Sequence, residues 1–195
     1  DERSALRIYP YLKPDYMLIT NLSRDSIMRN AHPEYIRDIL TKYIPKKTKL
    51  ILNADDLICC GIAPENPRVY FGIEKMDTDV TDCVNLINDL QICPQCHRRL
   101  EYEYRRYNHI GKAYCPHCGF KAPAYDYAGC DVDLAGMKID VKDATGVGHY
   151  RLLNESIFNI YNVVSAVAVL REIGYSHAQI EAFFAKLNIV GSRYD

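Results

Sequence analysis

Two Cys-x-x-Cys pairs constrain the possible folds of this chain more than any other feature. Cys93 and Cys96 form the first pair, Cys115 and Cys118 form the second, and eighteen residues separate the two pairs. This spacing is typical of four-cysteine zinc sites. Each pair closes a tight turn, and two such turns on facing hairpins give the tetrahedral cage of sulfurs that Zn²⁺ accepts. Because cysteines fill all four positions, the pattern predicts a structural zinc ion rather than a catalytic one.

Other states of these cysteines are two disulfides, four free thiols, or a cage for an iron–sulfur cluster, which thiolates also bind. Three nearby histidines could replace a sulfur ligand: His97, His109 and His117. His117 lies between two cysteines of one pair, so we expect it to be an exposed ribbon residue. Outside the pairs, four cysteines lie in apolar or mixed contexts and indicate ordinary thiols in a reducing, cytoplasmic setting: Cys59, Cys60, Cys83 and Cys130.

Length and composition indicate a globular protein. The 195 residues suit one domain, or one domain with a small insertion, and 48% of them are apolar with a net charge of −1. No apolar run has the length of a membrane span, and no signal-peptide pattern opens the chain. Because the chain starts at Asp1 and ends at Asp195, we expect it to be a fragment of a longer protein.

The first part of the chain alternates predicted strands with a predicted helix. Residues 17–22, 49–52 and 69–73 are short apolar runs of the kind that form buried parallel strands. Pro33 suits the first position of a helix between the first two runs. The predicted apolar face of that helix contains Ile36, Ile39, Leu40 and Tyr43. This alternation predicts an α/β sheet with right-handed crossovers.

Residues 91–127 form the predicted zinc segment. Leu100 to Tyr104 alternate between apolar and charged side chains, which is typical of a small hairpin, and residues 109–112 supply a plausible turn. A ribbon this short buries little apolar surface, so metal binding would supply much of its folding free energy.

An antiparallel meander and two helices are predicted after the ribbon. Residues 130–143 and 150–153 give the strands, with turns at Gly136 and at residues 146–148. Asn154 is the predicted N-cap of a helix over residues 155–173, which Gly174 ends. Residues 176–179 form a capping-box pattern for the last helix. Its predicted buried face contains Ile180, Phe183, Phe184 and Leu187.

Two groups of polar residues are candidates for ligand binding. Asn53, Asp55 and Asp56 follow a predicted buried strand, and open α/β sheets bind ligands beyond the carboxyl ends of their strands. An ordinary turn has the same composition. Asn159 and Asn162 lie one turn apart on a predicted helix and could contact a nucleobase edge or satisfy nearby backbone groups.

The zinc segment is moderately basic and rich in tyrosine. Residues 91–127 contain six basic and three acidic side chains, interleaved with aromatic rings. Such a pattern can bind single-stranded nucleic acid through charge and stacking. The charge excess is small for that role, so we favour a hairpin with a solvated basic face and expect no nucleic-acid partner.

Four motifs, in order, resemble the central ATP-binding domain of the Mur ligase family. They are ITNLSRDSIMR at residues 19–29, LNADD at 52–56, FNIYNVVSA at 158–166 and GSRYD at 191–195. The resemblance covers essentially the whole chain. It implies an α/β fold of the Mur-ligase type, partial because the P-loop portion is absent. Residues 1–90 and 128–195 would form this domain, with the zinc ribbon of residues 91–127 inserted.

A Mur-type domain that carries a four-cysteine ribbon resembles the branch of the family that amidates lipid II. The resemblance implies a cytoplasmic carbon–nitrogen ligase that acts at the inner face of the membrane. With ATP and Mg²⁺, it would activate the α-carboxyl of D-glutamate in lipid II as an acyl phosphate. Ammonia from a glutamine amidotransferase partner, GatD, would then give D-isoglutamine. GatD would bind mainly through a C-terminal domain that is absent from this chain.

The same resemblance assigns roles to individual residues. Those implied to lie near the nucleotide are Asn53, Asp55, Asp56, Asn159, Asn162 and Arg193. Ser26 stands where the family has a magnesium-linked histidine, so direct metal binding there is not expected. Because no Gly-Lys-Thr/Ser loop is present, we expect the catalytic residues to lie outside this chain and the chain alone to be inactive.

Two alternative functions are also compatible with the sequence. The chain could be a zinc-ribbon module that binds nucleic acid or protein, for which no phosphate-binding loop is needed. It could also come from another Mur-type ligase, which adds an amino acid rather than ammonia.

Overall fold

The computed structural model describes residues 4–22, 33–83 and 90–187. The chain forms two compact units, one of residues 1–70 and 75–125 and one of residues 71–74 and 126–195. The cysteine segment therefore belongs to the same compact unit as the first strands. Its separation as an inserted domain of residues 91–127 stays a prediction.

The first unit is built on parallel strands, as the sequence predicts. β1 (Tyr16–Ile19) pairs in parallel with β2 (Lys49–Asn53). The start of β3 (Arg68–Ile73) lies beside β2. The predicted first strand is shorter than expected, because side chains from the turn after β2 hydrogen-bond the backbone of Thr20 and Leu22.

Helices complete this part of the first unit. α1 is Ala5–Ile8, α2 is Pro33–Tyr43 and α3 is Leu57–Cys60. The predicted face of α2 is confirmed for Ile36, Ile39 and Leu40, which are buried in one cluster with Leu50 and Leu52 of β2, whereas Tyr43 is only partly buried. Burial of this apolar face against the sheet stabilises the helix more than its own propensity does.

The remaining strands of the first unit form the ribbon hairpin, β4 (Glu101–Tyr107) and β5 (Ile110–Tyr114). The predicted turn at residues 109–112 is wrong, because the chain turns at Asn108 and His109 instead. Asn108 has a φ of 45°, a conformation that asparagine tolerates. Gly111 lies within β5 at a register shift, where a Cβ atom would come within 2.3 Å of the Tyr104 carbonyl oxygen. The absence of a side chain at Gly111 therefore permits close approach of β4 and β5 and does not serve a turn.

The second unit is a mixed sheet covered by helices. Phe71–Ile73 of β3 pair in parallel with β6 (Tyr127–Asp133), and β7 (Lys138–Asp143) and β8 (Gly146–Arg151) continue the sheet in antiparallel order. The predicted meander is thus confirmed. Residues 146–148 form the start of β8 rather than a turn, because the chain turns at residues 144–145.

Two helices follow, α4 (Ile157–Glu172) and α5 (His177–Phe184). The N-cap of α4 is Ser156 rather than Asn154, whose side chain instead accepts a hydrogen bond from the Ser156 amide. Gly174, with a φ of 103°, ends α4 as predicted, and the Tyr175 amide bonds back to the Leu170 carbonyl.

The capping box at the start of α5 is confirmed, with Ser176 and Gln179 bonded reciprocally. Ile180 and Phe184 are buried as predicted, whereas Phe183 and Leu187 are 45% and 44% exposed. Within residues 4–22, 33–83 and 90–187, no helix has both the length and the apolar character needed to cross a bilayer.

Candidate metal centre and acidic turn

The four predicted zinc ligands converge on one point. The sulfurs of Cys93, Cys96, Cys115 and Cys118 all lie within 4.8 Å of one another. The Sγ atoms of Cys93 and Cys118 are 3.7 Å apart, and those of Cys96 and Cys115 are 3.5 Å apart. These distances exceed a disulfide bond of about 2.05 Å, and the cysteines are free thiols. Two sulfurs bound to one tetrahedral Zn²⁺ would be about 3.8 Å apart, so the donor set fits this ion.

The two cysteine pairs adopt the same backbone geometry. In each turn the amide of the first cysteine bonds to the carbonyl five residues later, Arg98 in one and Phe120 in the other. The residue that follows each pair, His97 or Gly119, has a positive φ of 59° or 76° and donates its amide to the first cysteine's carbonyl. This repeated geometry aims two sulfurs from each turn at the same point.

Backbone hydrogen bonds also favour the ligand form of one cysteine. Bonds from Cys118 and then from His117 lower the pKa of the Cys115 thiol to about 7. The thiolate is the metal-binding form, and the lowered pKa favours it at Cys115. At Cys96 and Cys118, hydrogen bonds from the Arg98 and Phe120 amides are outweighed by desolvation and the neighbouring thiols, which raise the pKa of Cys96 to about 12 and also raise that of Cys118. His97 and His117 are exposed, as expected for His117, and the His109 ring is buried against Asp56 rather than among the sulfurs.

The second candidate site is the acidic turn, Asn53–Asp56, which follows β2. Asn53, Asp55 and Asp56 have no exposed surface. Asn53 Nδ2 donates to the Thr20 carbonyl at 2.9 Å, and Asn53 Oδ1 accepts from the Asp55 backbone amide at 3.0 Å. These bonds hold the turn against the segment that follows β1.

Asp56 organises the backbone around it through both carboxylate oxygens. Oδ1 accepts hydrogen bonds from the amides of Ile58 and Cys59, at 2.9 and 3.2 Å, and so caps α3. Oδ2 accepts from the Leu22 amide at 2.7 Å. Burial alone would raise the pKa of Asp56, but the adjacent His109 and hydrogen bonds from the Leu22 amide and the Cys59 thiol lower it.

The ribbon hairpin supplies partners for both carboxylates of the acidic turn. Arg106 Nη1 lies 2.8 Å from Asp55 Oδ2, with both side chains almost completely buried. His109 Nε2 lies 3.2 Å from Asp56 Oδ1. The Tyr125 hydroxyl donates to Asp55 Oδ1 at 2.5 Å. Burial raises the pKa of Tyr125, and the negative charge of Asp55 raises it further.

Sequence reasoning did not identify Arg106, His109 and Tyr125 as parts of this site. The available signal was the pairing rule itself: two carboxylates buried at a strand end need cations or hydrogen-bond donors, and the ribbon has an excess of basic residues. The rule does not say which of those residues is the partner.

The same contacts occupy much of the basic and aromatic surface that suggested nucleic-acid binding. The Arg105 guanidinium lies 3.8 Å from the ring centre of Tyr102, and that of Arg106 lies 4.7 Å from Tyr104. Lys112 Nζ lies 3.9 Å from the ring centre of Tyr125. Both arginines pack within the first unit, so these groups are not arranged as a stacking platform for bases.

The other predicted nucleotide contacts lie elsewhere in the chain. Asn159 and Asn162 belong to α4 of the second unit, where Asn159 is partly buried and Asn162 is exposed. The Asn159 side-chain nitrogen Nδ2 lies 3.5 Å from the Asn154 carbonyl oxygen. Ser26 and Arg193 lie outside the described residues. The structure therefore brings together Asn53, Asp55 and Asp56, and the nucleotide role of all six residues stays a prediction.

Comparison with known proteins identifies relatives of the chain, although no family model matches it. A Staphylococcus aureus (strain COL) protein, "Lipid II isoglutaminyl synthase (glutamine-hydrolyzing) subunit MurT", is 30% identical over 187 residues, which are 94% of this chain and 41% of that protein. The subunit of the same name from Streptococcus pneumoniae (strain ATCC BAA-255 / R6) is 30% identical over an alignment of 204 residues, which covers 100% of this chain and 44% of that protein.

A solved structure agrees with the sequence comparison. The pseudomurein peptide ligase type C from Methanothermus fervidus superposes with a TM-score of 0.73 and 28% identity, over 94% of this chain and 36% of that one. The chain resembles ligases of the Mur family over nearly its whole length. It is similar to MurT, and it spans less than half the length of the MurT subunits that it matches. Its mixed α/β fold resembles that of Mur ligase domains, as its motifs predicted.

Proposed function

We propose that this chain is part of an ATP-dependent carbon–nitrogen ligase of peptidoglycan synthesis. The observation that carries the proposal is its similarity to MurT subunits over nearly the whole chain. In this function the α-carboxyl of D-glutamate in lipid II accepts the γ-phosphoryl group of ATP, with release of ADP. Ammonia then displaces phosphate from the acyl phosphate and forms D-isoglutamine. Cations around the transferring phosphoryl group would stabilise its charge, as in other phosphoryl transfers.

The relatives are named as subunits of a glutamine-hydrolysing enzyme, which supports a partner that supplies ammonia. We propose that this partner is the amidotransferase GatD, bound mainly through a further C-terminal domain. The reaction would take place in the cytoplasm at the inner face of the membrane, where lipid II presents its stem peptide.

Within this function, the acidic turn and α4 are the proposed nucleotide contacts. Asn53, Asp55 and Asp56 would act through the fixed conformation of their turn, because both carboxylates are buried and paired. Asn159 would contact the adenine with support from Asn162, and Arg193 would lie near the phosphates. Catalytic groups and Mg²⁺ ligands would lie outside this chain, so ATP turnover by the chain alone is not expected.

We also propose that the four cysteines hold a structural Zn²⁺. All four ligand positions of a tetrahedral ion would be filled by the sulfurs of Cys93, Cys96, Cys115 and Cys118. A zinc ion bound there has no free position for water or substrate, so its contribution would be to the fold of the ribbon.

A second candidate is a peptide ligase that adds an amino acid or peptide. The similarity to a pseudomurein peptide ligase favours it, since that protein shares 28% identity with this chain. The two candidates share carboxyl activation by ATP and differ only in the nucleophile.

The test uses the complete protein with ATP, Mg²⁺, ammonium and lipid II, and mass spectrometry of the stem peptide. Ammonium replaces the amidotransferase partner, so the expected product carries an amide in place of the D-glutamate α-carboxyl. Omission of ATP should abolish the product. Addition of an amino acid instead would support the second candidate, and no ATP-dependent change with intact substrate would contradict both.

A further inference from the structure

The ribbon hairpin connects the cysteine cluster to the acidic turn. β4 begins five residues after Cys96, and β5 ends at the residue before Cys115. Each strand is thus tied at one end to a cysteine pair. The residues that contact the acidic turn, Arg106 and His109, lie at the opposite end of the hairpin, beside its turn.

The hairpin contacts the acidic turn through both backbone and side chains. The Gly111 amide donates to the Asp55 carbonyl at 2.9 Å, which fixes the start of β5 on the turn. Arg106 bridges two carboxylates, with Nη1 at 2.8 Å from Asp55 Oδ2 and Nε at 3.1 Å from Asp79 Oδ1. Beside it, Arg105 and Val80 exchange two backbone hydrogen bonds, of 3.0 and 2.6 Å.

Displacement of the hairpin would leave the acidic turn with buried, uncompensated charge. Asp55 and Asp56 have no exposed surface, so water cannot replace Arg106 or His109 without opening the structure. Asp56 also orders the amides of Leu22, Ile58 and Cys59, so a change in its surroundings alters two backbone segments, the one after β1 and the start of α3.

We propose that the ribbon hairpin is a positioning element for the acidic turn, with Arg106 and His109 as positioning residues. A metal ion on the four cysteines would hold the base of the hairpin and thereby keep these two side chains on Asp55 and Asp56. Metal binding and turn conformation are then coupled, and the coupling acts in both directions. The consequence for ATP rests on the proposed function of the acidic turn, whereas the coupling itself does not.

Hydrogen exchange of the complete protein tests the coupling without any substrate. Zinc is removed with a chelator, and exchange is followed by mass spectrometry in peptides that contain Leu22 and residues 57–60. We expect exchange at these amides to accelerate by about tenfold or more, since local opening governs their protection. Peptides from β7 in the second unit should keep their exchange rates.

The contradicting result is specific. If amides of the hairpin lose protection after chelation while those of Leu22, Ile58 and Cys59 keep theirs, the hairpin does not position the turn. If chelation unfolds the whole protein, the test is instead hydrogen exchange of the Arg106→Met variant with zinc bound. That variant should retain its zinc and show the same local acceleration, and unchanged exchange would overturn the proposal.

Kinetics of the complete ligase distinguish a positioning role from a merely structural one. With zinc bound, Arg106→Met should raise the KM for ATP by about tenfold and leave the KM for lipid II unchanged. Arg106→Lys, which retains the charge but cannot bridge two carboxylates equally well, should recover part of the loss. Arg98→Met is the matched control, because Arg98 is an exposed ribbon arginine, and it should change neither value.

The KM for ATP is compared at temperatures where Arg106→Met is folded. If the variant has a lower melting temperature but an unchanged KM for ATP, Arg106 has only a structural role. If the wild-type protein does not use ATP, the proposed function fails. The exchange experiment then still decides whether the hairpin positions the acidic turn.

Discussion

Two antiparallel hairpins of this chain, β4–β5 and β7–β8, are stabilised differently. The meander hairpin, β7–β8, buries Ile139, Val141 and Tyr150 almost completely. The ribbon hairpin, β4–β5, has beside it a small apolar cluster of Leu100, Cys93 and Cys115. Its own buried residues include the charged Arg105 and the polar His109 as well as four apolar or aromatic residues: Tyr102, Tyr104, Ile110 and Ala113.

This difference shows why similar hairpins can respond differently to the same perturbation. An isolated two-stranded hairpin is marginally stable in water. The meander hairpin belongs to a larger sheet and gains the apolar burial of that sheet. The ribbon hairpin is a separate two-stranded sheet, in which the cysteine cluster and buried ion pairs add to its own apolar burial. We therefore expect metal removal and charge substitution in the ribbon to affect the ribbon and the acidic turn that it contacts more than the meander hairpin.

The largest effect is expected from Cys96→Ser. Loss of one sulfur should abolish stable zinc binding and unfold the ribbon, because structural zinc contributes about 10–16 kcal/mol of apparent binding free energy in small zinc domains. Zinc content by atomic emission and hydrogen exchange of β4–β5 would measure this. The control is Cys130→Ser, a partly buried cysteine outside the cluster, which should retain zinc. Full zinc content in Cys96→Ser would contradict the zinc assignment.

Arg106→Met is expected to have the next largest effect. It leaves Asp55 and Asp79 buried without their shared cation, which should lower the free energy of unfolding by about 3–5 kcal/mol. Urea denaturation monitored by circular dichroism would measure the change. Arg98→Met should stay within about 0.5 kcal/mol of wild type. Equal effects of the two substitutions would mean that the ribbon does not depend on this buried ion pair.

A smaller effect is expected in the second unit from Asp143→Asn. Asp143 accepts hydrogen bonds from Arg171 Nε at 2.7 Å and from the Thr145 amide at 2.8 Å. Replacing the carboxylate should cost about 1.5–3 kcal/mol at pH 7. Asp131→Asn, at an exposed position of β6, is the control and should stay within about 0.5 kcal/mol.

The pH dependence sharpens this prediction. Burial alone would raise the pKa of Asp143, but bonds from Thr145 and Arg171 hold it well below its ordinary value. A lowered pKa in the folded state stabilises the protein above the unfolded pKa of about 3.9, and this contribution is lost as the pH falls further. Asp143→Asn should therefore flatten the decline of stability below about pH 4. An unchanged decline would show that Asp143 contributes little to acid unfolding.

The smallest effects are expected at the equivalent positions of the two cysteine turns. Gly119→Ala places a Cβ at a φ of 76°, with no neighbouring atom within 4 Å, so backbone strain alone should destabilise the ribbon by about 1 kcal/mol. His97→Gly relieves the same strain at a φ of 59° and should be neutral or stabilising by less than about 1 kcal/mol. Thermal unfolding of the zinc-loaded protein would measure both. Destabilisation by His97→Gly would indicate that the His97 side chain itself stabilises its turn.

Several features of the fold could be predicted because neighbours in the sequence determine them. The spacing of the four cysteines predicted their convergence, and the capping box at Ser176 and the stop at Gly174 were predicted from local hydrogen-bonding chemistry. Short-range rules failed where two local explanations competed. Gly111 looked like a turn residue, but it permits close approach of β4 and β5.

The acidic turn shows the limit of sequence reasoning. LNADD predicted that Asn53, Asp55 and Asp56 would cluster at the end of a strand, and they do. The motif could not predict its buried partners. Arg106 lies 51 residues after Asp55, and His109 lies 53 residues after Asp56.

The sequence by itself therefore determined the local elements of this protein: the cysteine turns, the helix ends, the parallel strands and the family motifs. The tertiary structure alone decided which polar groups are buried and which cations compensate them. The physical reason is range: turns and caps are set by bonds within a few residues, whereas the pairing of a buried charge depends on which distant surfaces meet when the chain folds.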